Sequence, residues 1–238
     1  MYDFSRFDPL ITEGESLFIN RPHPVPVKLW TKALQMQRQK TGEPSDGVIL
    51  RFRIPEPETY PEFLETGDPA ALNSAFGNAY SNFYDALDEL VMNVPDGAAK
   101  ESIESMGRQL DKLKKQYDMR ARGNPEDAWR KAVEAFIDGM IPAIYTGIIA
   151  ADDNTYDLIL NMANAFLQQN GIFTKELKTG EKLDAAYCDF AEDSSATTKD
   201  PQLSDVIVKI RQYPYLTVYR GEEHLIKCGQ AVAWRYDG

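Results

Sequence analysis

Histidine and cysteine each occur only twice in the 238 residues. Two cysteines, Cys188 and Cys228, do not make a disulfide framework, and neither sits in a CxxC pair. They read as reduced thiols packed as small apolar groups. His23 lies in a proline-rich arm and His224 near a turn, and no HExxH or zinc-finger spacing is present. The composition therefore points to no metal site and no cofactor. The fifteen glycines are scattered, without the GxGxxG or GxxxxGK[ST] runs that cradle phosphate and without a GxSxG elbow. Lys40-Thr41-Gly42 and Lys178-Thr179-Gly180 have no SxxK partner and read as turns. No apolar run is long enough to span a bilayer: the best, Gly139 to Ala151, is short and carries Pro142. The first residues, Met1 to Pro9, lack the basic and apolar regions of a signal peptide, so a cytoplasmic protein is expected.

Positive charge is also scarce. Lys and Arg number 26 against 37 Asp and Glu, a net charge of -11. Such a chain repels nucleic acid and anionic membranes unless its charge is segregated. Direct nucleic-acid binding is therefore not expected. Hydrophobic residues at 43% and charged residues at 26% are ordinary for a folded globular protein.

Periodicity predicts an α+β protein with a mainly helical core. Residues 1–26 form an extended proline-rich arm. Residues 27–171 form a mainly helical domain of five to six helices. Residues 172–238 form a smaller β-containing region, either separate or sharing the same core. A helix is expected from Val27 to Lys40, then a strand from Gly47 to Ile54, then an acidic connector over 55–67.

Asp68 and Pro69 give the start signal of a long helix. Its apolar stripe is Leu72, Phe76, Ala79, Phe83, Leu87 and Leu90, widened by Tyr80, Tyr84 and Val91. Asp85, Asp88 and Glu89 fall on the opposite side. Pro95-Asp96-Gly97 turns the chain into a second helix, Ala98 to Met119, with a seam of Ile103, Met106, Leu110, Leu113 and Tyr117. The short turn makes the pair an antiparallel αα-hairpin. Glu104/Arg108 and Asp111/Lys115 are spaced as supporting ion pairs. Asn124-Pro125 starts a third long helix with Trp129, Val133, Phe136, Ile137 and Met140 inward, which Pro142 should kink or break. A fourth runs from Thr155 to Gln169 with Leu158, Ile159, Met162, Ala165 and Phe166 inward, closed by Asn170-Gly171.

Beyond Gly171 the pattern becomes β. Phe173 to Tyr187, around the turn Lys178 to Glu181, fits a hairpin. Residues 189–200 read as an acidic loop. Asp200-Pro201 suits a helix cap and Val206-Ile207-Val208 suits a strand; the cap tips residues 200–212 toward helix. Tyr215 to Arg220, His224 to Cys228 and Ala231 to Tyr236 form an antiparallel meander turned at Gly221-Glu222-Glu223.

Two groups of residues stand out as candidate contacts. The first is basic: Arg108, Lys112, Lys115, Arg120 and Arg122, with Lys114, Arg130 and Lys131 nearby. It is either a solvated helix face or a surface for an acidic partner. The second is aromatic: Tyr215, Tyr219, Trp234 and Tyr236, with Tyr213. These side chains suit an interface and a core equally. Asp152, Asp153 and Asp157 cluster at a helix start but lack the EF-hand spacing. Val218-Tyr219-Arg220-Gly221 resembles the first-strand arginine motif of the arginine-specific ADP-ribosyltransferase family, a likeness that implies an NAD contact at Arg220. That family's Ser-Thr-Ser strand and Glu-x-Glu loop should follow, and neither occurs after Arg220.

These features speak of surface contact more than of chemistry. The leading expectation is a non-enzymatic interaction or assembly subunit, with a protein partner or its own copies. The alternatives are an acidic inhibitor or immunity-type protein that blocks a basic site or mimics nucleic acid, and an enzyme with a carboxylate/tyrosine site to which Asp152, Asp153, Arg220 and Glu223 would belong.

Overall fold

Asp68 begins the architecture. Its carboxylate accepts from the backbone N–H groups of Ala70 and Ala71 at 3.1 and 3.3 Å. Those donors have no intrahelical partner, and Pro69 has none to lose. The computed structural model describes residues 52–147 and 153–237. All of them lie in the compact unit Asp46–Gly238. The expected arm over 1–26 and the helix over Val27 to Lys40 lie outside the described residues.

Five α-helices are present among the described residues: α1 (Glu62–Thr66), α2 (Pro69–Asn93), α3 (Ala98–Ala121), α4 (Pro125–Gly147) and α5 (Asp153–Gln169). The short α1 falls inside the stretch read as a connector. The buried stripes of α2 and α3 are the six and five residues that the spacing predicts. Tyr80, midway along α2, donates its hydroxyl to Asp111, midway along α3, at 2.8 Å. The Tyr117 ring of late α3 stacks on Phe76 with centroids 3.9 Å apart. Early α2 thus meets late α3, which makes the hairpin antiparallel. Asp111 is engaged by Tyr80, and the expected Asp111/Lys115 pair is replaced by Lys114–Asp118 at 2.6 Å.

Aromatic rings tie the other helices to this hairpin. Phe136 of α4 stacks on Phe166 of α5 at 4.1 Å, and Phe83 meets Phe136 edge-on at 5.5 Å. Such pairs add about 0.5–1.5 kcal/mol beyond the area they bury. The indole N–H of Trp129 donates to the fully buried Asn170 at 3.1 Å.

Helix α4 runs through Pro142 to Gly147, so of the expected kink or break the break does not occur. Proline removes the bond to the carbonyl of Asp138, a residue on the exposed side of the helix. Met140, Ile141 and Ile144, all buried, anchor the helix on both sides of the proline. The inward face of α5 also differs from expectation. Ile159, Leu160, Ala163, Phe166 and Leu167 are buried, while Leu158 is 51% exposed. The Phe166 stack and the Asn170–Trp129 bond set the rotation of α5, and Leu158 falls off that line.

Gly171 ends α5. Its φ is +70°. The Ile172 N–H reaches the Leu167 carbonyl at 3.0 Å and the Gly171 N–H the Gln168 carbonyl at 2.8 Å. This bond pair is a Schellman cap, and its flanking residues Ile172 and Leu167 are both buried, as that motif favours.

Eight short strands follow: β1 (Phe173–Thr174), β2 (Cys188–Phe190), β3 (Thr197–Thr198), β4 (Ile207–Gln212), β5 (Tyr215–Tyr219), β6 (Glu222–Lys227), β7 (Gly229–Ala233) and β8 (Arg235–Tyr236). The pairing orders are β1-β5-β6, β2-β7-β4 and β3-β8. β5 and β6 are a hairpin. Its two-residue turn is Arg220-Gly221, one residue earlier than the spacing implies, with φ of 52° and 80°. Positive φ at both positions is the twist-matched geometry for such a turn. After β6 the chain leaves the simple meander: β7 pairs antiparallel with β4 and parallel with β2. Together these elements make the chain an α+β protein with a mainly helical core and a small mixed-sheet region.

Three further expectations are corrected. Asp200 does cap, accepting from the Gln202 N–H at 2.9 Å. It caps only a 3-10 turn, Pro201–Leu203. Asp205 then takes φ 66°, which ends the turn, and the β-branched run pairs with the small residues of β7 instead. The Lys178 to Glu181 turn forms, with Glu181 N–H to Lys178 O at 3.3 Å, but no hairpin is built on it. Its far limb bonds to the start of β4 through Leu183 N–H to Asp205 O and Ile207 N–H to Glu181 O, both 2.8 Å. Of the strand expected over Gly47 to Ile54, only residues 52–54 are described. They are not a regular strand. Ile54 nevertheless accepts from the Thr174 N–H at 2.9 Å and, like Phe52, is buried.

Tyr215, Tyr219 and Ile226 belong to the same core cluster as the helices, while Cys188, Ile207 and Ala231 form a second, small cluster. No helix among the described residues is long and apolar enough to cross a membrane.

Candidate interaction surface

The basic group sits on α3. The buried seam of that helix faces α2 and α4, and the residues opposite the seam are set by the same periodicity. Arg108, Lys112, Lys115 and Arg122 follow steps of four, three and seven, so they share one side. Arg120 stands about a third of a turn away. All five are exposed. The stripe from Arg108 to Arg122 is about 21 Å long at 1.5 Å per residue.

The charges on and around this stripe differ in how they are held. Lys114 is fixed to Asp118, and Lys131 to Asp127 at 2.7 Å. Arg130 reaches the same Asp127 at 3.8 Å. Arg108 touches Glu104 only at 3.9 Å. Lys112, Lys115, Arg120 and Arg122 make no ion pair with a described residue. The helix beneath them is tightly packed. Tyr117 is 3% exposed and donates to Asn73 of α2, and burial pushes its phenol up to about 12. Tyr80 is shifted upward too, first by burial and then by Asp111. A shallow hollow of about 320 Å³ borders the stripe at Arg122, lined also by Asn73, Lys114, Tyr117, Asp118 and Ala121.

The aromatic group does not stay together. Tyr215 and Tyr219 are buried in the helical core cluster, as Tyr213 is buried in the fold. Trp234 is half-buried, and Tyr236 is 47% exposed on β8. Only the last two present ring surface outward.

The residues of the carboxylate/tyrosine alternative are placed as follows. The Tyr219 hydroxyl donates to Glu126 at 3.0 Å, and the Arg220 guanidinium lies 5.2 Å from the Tyr219 ring centroid. Burial, then Glu126, raises the Tyr219 phenol, and Arg220 partly offsets them. Arg220 donates its backbone N–H to the Leu64 carbonyl at 2.8 Å, which docks the hairpin turn on α1. Glu223 accepts from Tyr187 at 2.8 Å. These contacts join α1, α4 and the hairpin. His224 is exposed on β6, at the edge of its sheet. Asp152 lies outside the described residues, and Asp153 opens α5. Among the described residues, no three His, Cys, Asp or Glu side chains gather as a metal site.

No protein-family model, curated protein or solved structure matches this chain.

One arrangement escapes a helix-by-helix reading of the sequence. Asp85, Asp88 and Met92 stand opposite the buried stripe of α2 and are exposed. They bear the same three-then-four spacing as Lys112, Lys115 and Met119 of α3. Comparing the outward faces of the two helices, not their apolar seams, is the signal that finds it.

Proposed function

We propose that this chain is a non-enzymatic protein-interaction subunit and that the outward face of α3 is its docking surface. One observation carries the reading. Four cations, Lys112, Lys115, Arg120 and Arg122, stand on or beside a well-packed helix without an ion pair to a described residue, in a chain of net charge -11. A stable helix of this length has no need of them, since its stability comes from the buried seam. At physiological salt, charge is felt over about 8 Å, so a partner senses the stripe and not the net charge. Acidic protein is the partner class this favours. The stripe is interrupted at its flanks by Glu104, Asp111 and Asp118, which a continuous phosphate backbone would meet as repulsion.

The test is affinity capture from the native source with wild type and K112E/K115E as baits, at low and high salt. A stoichiometric partner held by wild type and lost by the variant supports the reading. Equal capture by both, or none by either, overturns it. The acidic-inhibitor reading draws on α2, whose 25 residues include no Lys or Arg. It predicts a basic partner that D85K/D88K loses instead.

A further inference from the structure

We propose that the partner of the α3 face is a second copy of this chain, which docks head to tail through the outward face of its own α2; the inference rests on the reading of α3 as a docking surface. The two faces are complementary in charge and in spacing. Asp85, Asp88 and Met92 recur at steps of three and four along α2, and Lys112, Lys115 and Met119 recur at the same steps along α3. Met92 and Met119, 78% and 67% exposed, are the two most exposed large apolar side chains among the described residues. Each stands at the end of its charged triplet.

Laying α2 of one copy parallel to α3 of another brings Asp85 to Lys112, Asp88 to Lys115 and Met92 to Met119. An antiparallel arrangement can pair Asp85 with Lys115 and Asp88 with Lys112, but it then sets Met92 against Arg108 and loses the Met–Met contact. Within one copy the match cannot be made. α2 and α3 run antiparallel there and share their buried seams, which points both triplets away from each other. Asp85 and Asp88 have no ion pair with a described residue, so neither triplet is tied up in an ion pair within its own copy.

Because the two faces differ, the contact is heterologous. Each copy offers one face of each kind, and repetition gives a closed ring or a growing chain. A single helix-on-helix contact is small beside the roughly 1,600 Å² of a standard stable interface. Exposed ion pairs are weak and screened by salt. The association is therefore weak and visible at high protein concentration and low salt.

The experiment is size-exclusion chromatography with light scattering on the full chain, at about 50 mM and about 500 mM salt, a range over which the screening length falls steeply. Four proteins are compared: wild type, D85K/D88K, K112E/K115E and the fourfold D85K/D88K/K112E/K115E, with circular dichroism confirming each fold. Wild type self-associates at low salt and weakens about tenfold or more at high salt. Each half-reversed variant is monomeric, because like charges then face each other. The fourfold variant recovers association, since every pair is reversed and none lost. A wild type that stays monomeric at every concentration overturns the proposal. So does persistent association of both half-reversed variants. If wild type is monomeric yet K112E/K115E still loses a partner in the capture experiment, the docking reading stands and only self-association falls.

Discussion

Replacing Gly171 by alanine tests the account of how the helical body is closed. Gly171 holds φ +70°, where a side chain costs about 1 kcal/mol. Space is also lacking. A Cβ there would press on Leu64 Cδ1 and lie 3.4 Å from both Leu64 Cγ and Pro61 Cδ. Leu64 is fully buried and cannot swing away, so an overpacking cost of about 1–3 kcal/mol is added. The carbonyl of Gly171 also accepts from Thr217 of β5 at 3.0 Å, so any shift is passed to the sheet. The total is about 2–4 kcal/mol, a fall in Tm of roughly 5–15 °C for a chain of this size. Two controls separate the causes. Gly180, with φ +88° and nothing within 4 Å, should lose only the conformational part on substitution. Gly107, inside α3 and open to solvent on its Cβ side, should gain about 1 kcal/mol as alanine. Urea unfolding followed by circular dichroism reads all three. If G171A costs no more than G180A, the steric half of the argument is wrong.

Three more outcomes follow from the structure. Asp68→Ala removes the cap of α2 and should cost about 1 kcal/mol in the same assay. In alkali, unfolded tyrosine loses its proton near its ordinary value, about 10, while Tyr117 holds its proton to about 12. Between those values the folded state binds more protons than the unfolded one, so stability falls as pH rises; a Tm flat from pH 9 to 12 would contradict this. Burial likewise lifts the Cys188 thiol to about 11, so at pH 8 a thiol reagent should modify half-buried Cys228 before Cys188.

The helices were readable because their bonds are local. The spacing of Leu72 through Leu90, the seam of Ile103 through Tyr117 and the start signals at Asp68 and Asn124 each lie within one segment. The sheets were not, because partner choice is non-local. Nothing within Ile207 to Gln212 announces that β7 will pair with it, and Asp205, which stops the preceding turn, is a residue type that tolerates the left-handed conformation without requiring it. Rotation of α5 was missed for a related reason. Leu158 and Ile159 are equally apolar, and only the ring of Phe136 and the indole of Trp129, on another helix, decide between them. For the interaction surface, the cations of α3 were visible as a cluster. Which of them lack an ion pair, the burial of Tyr215 and Tyr219, and the matched triplet on α2 required the fold.

The most direct test of the central claim, that the outward face of α3 is a docking surface, is lysine footprinting of the protein in the assembly proposed for it. Acetylation is read residue by residue by mass spectrometry, before and after the assembly is dissociated with salt. Lys112 and Lys115 should be protected in the assembly and become reactive on dissociation, while exposed Lys199 reacts equally in both. Equal reactivity of Lys112 and Lys115 in the two states would contradict the account.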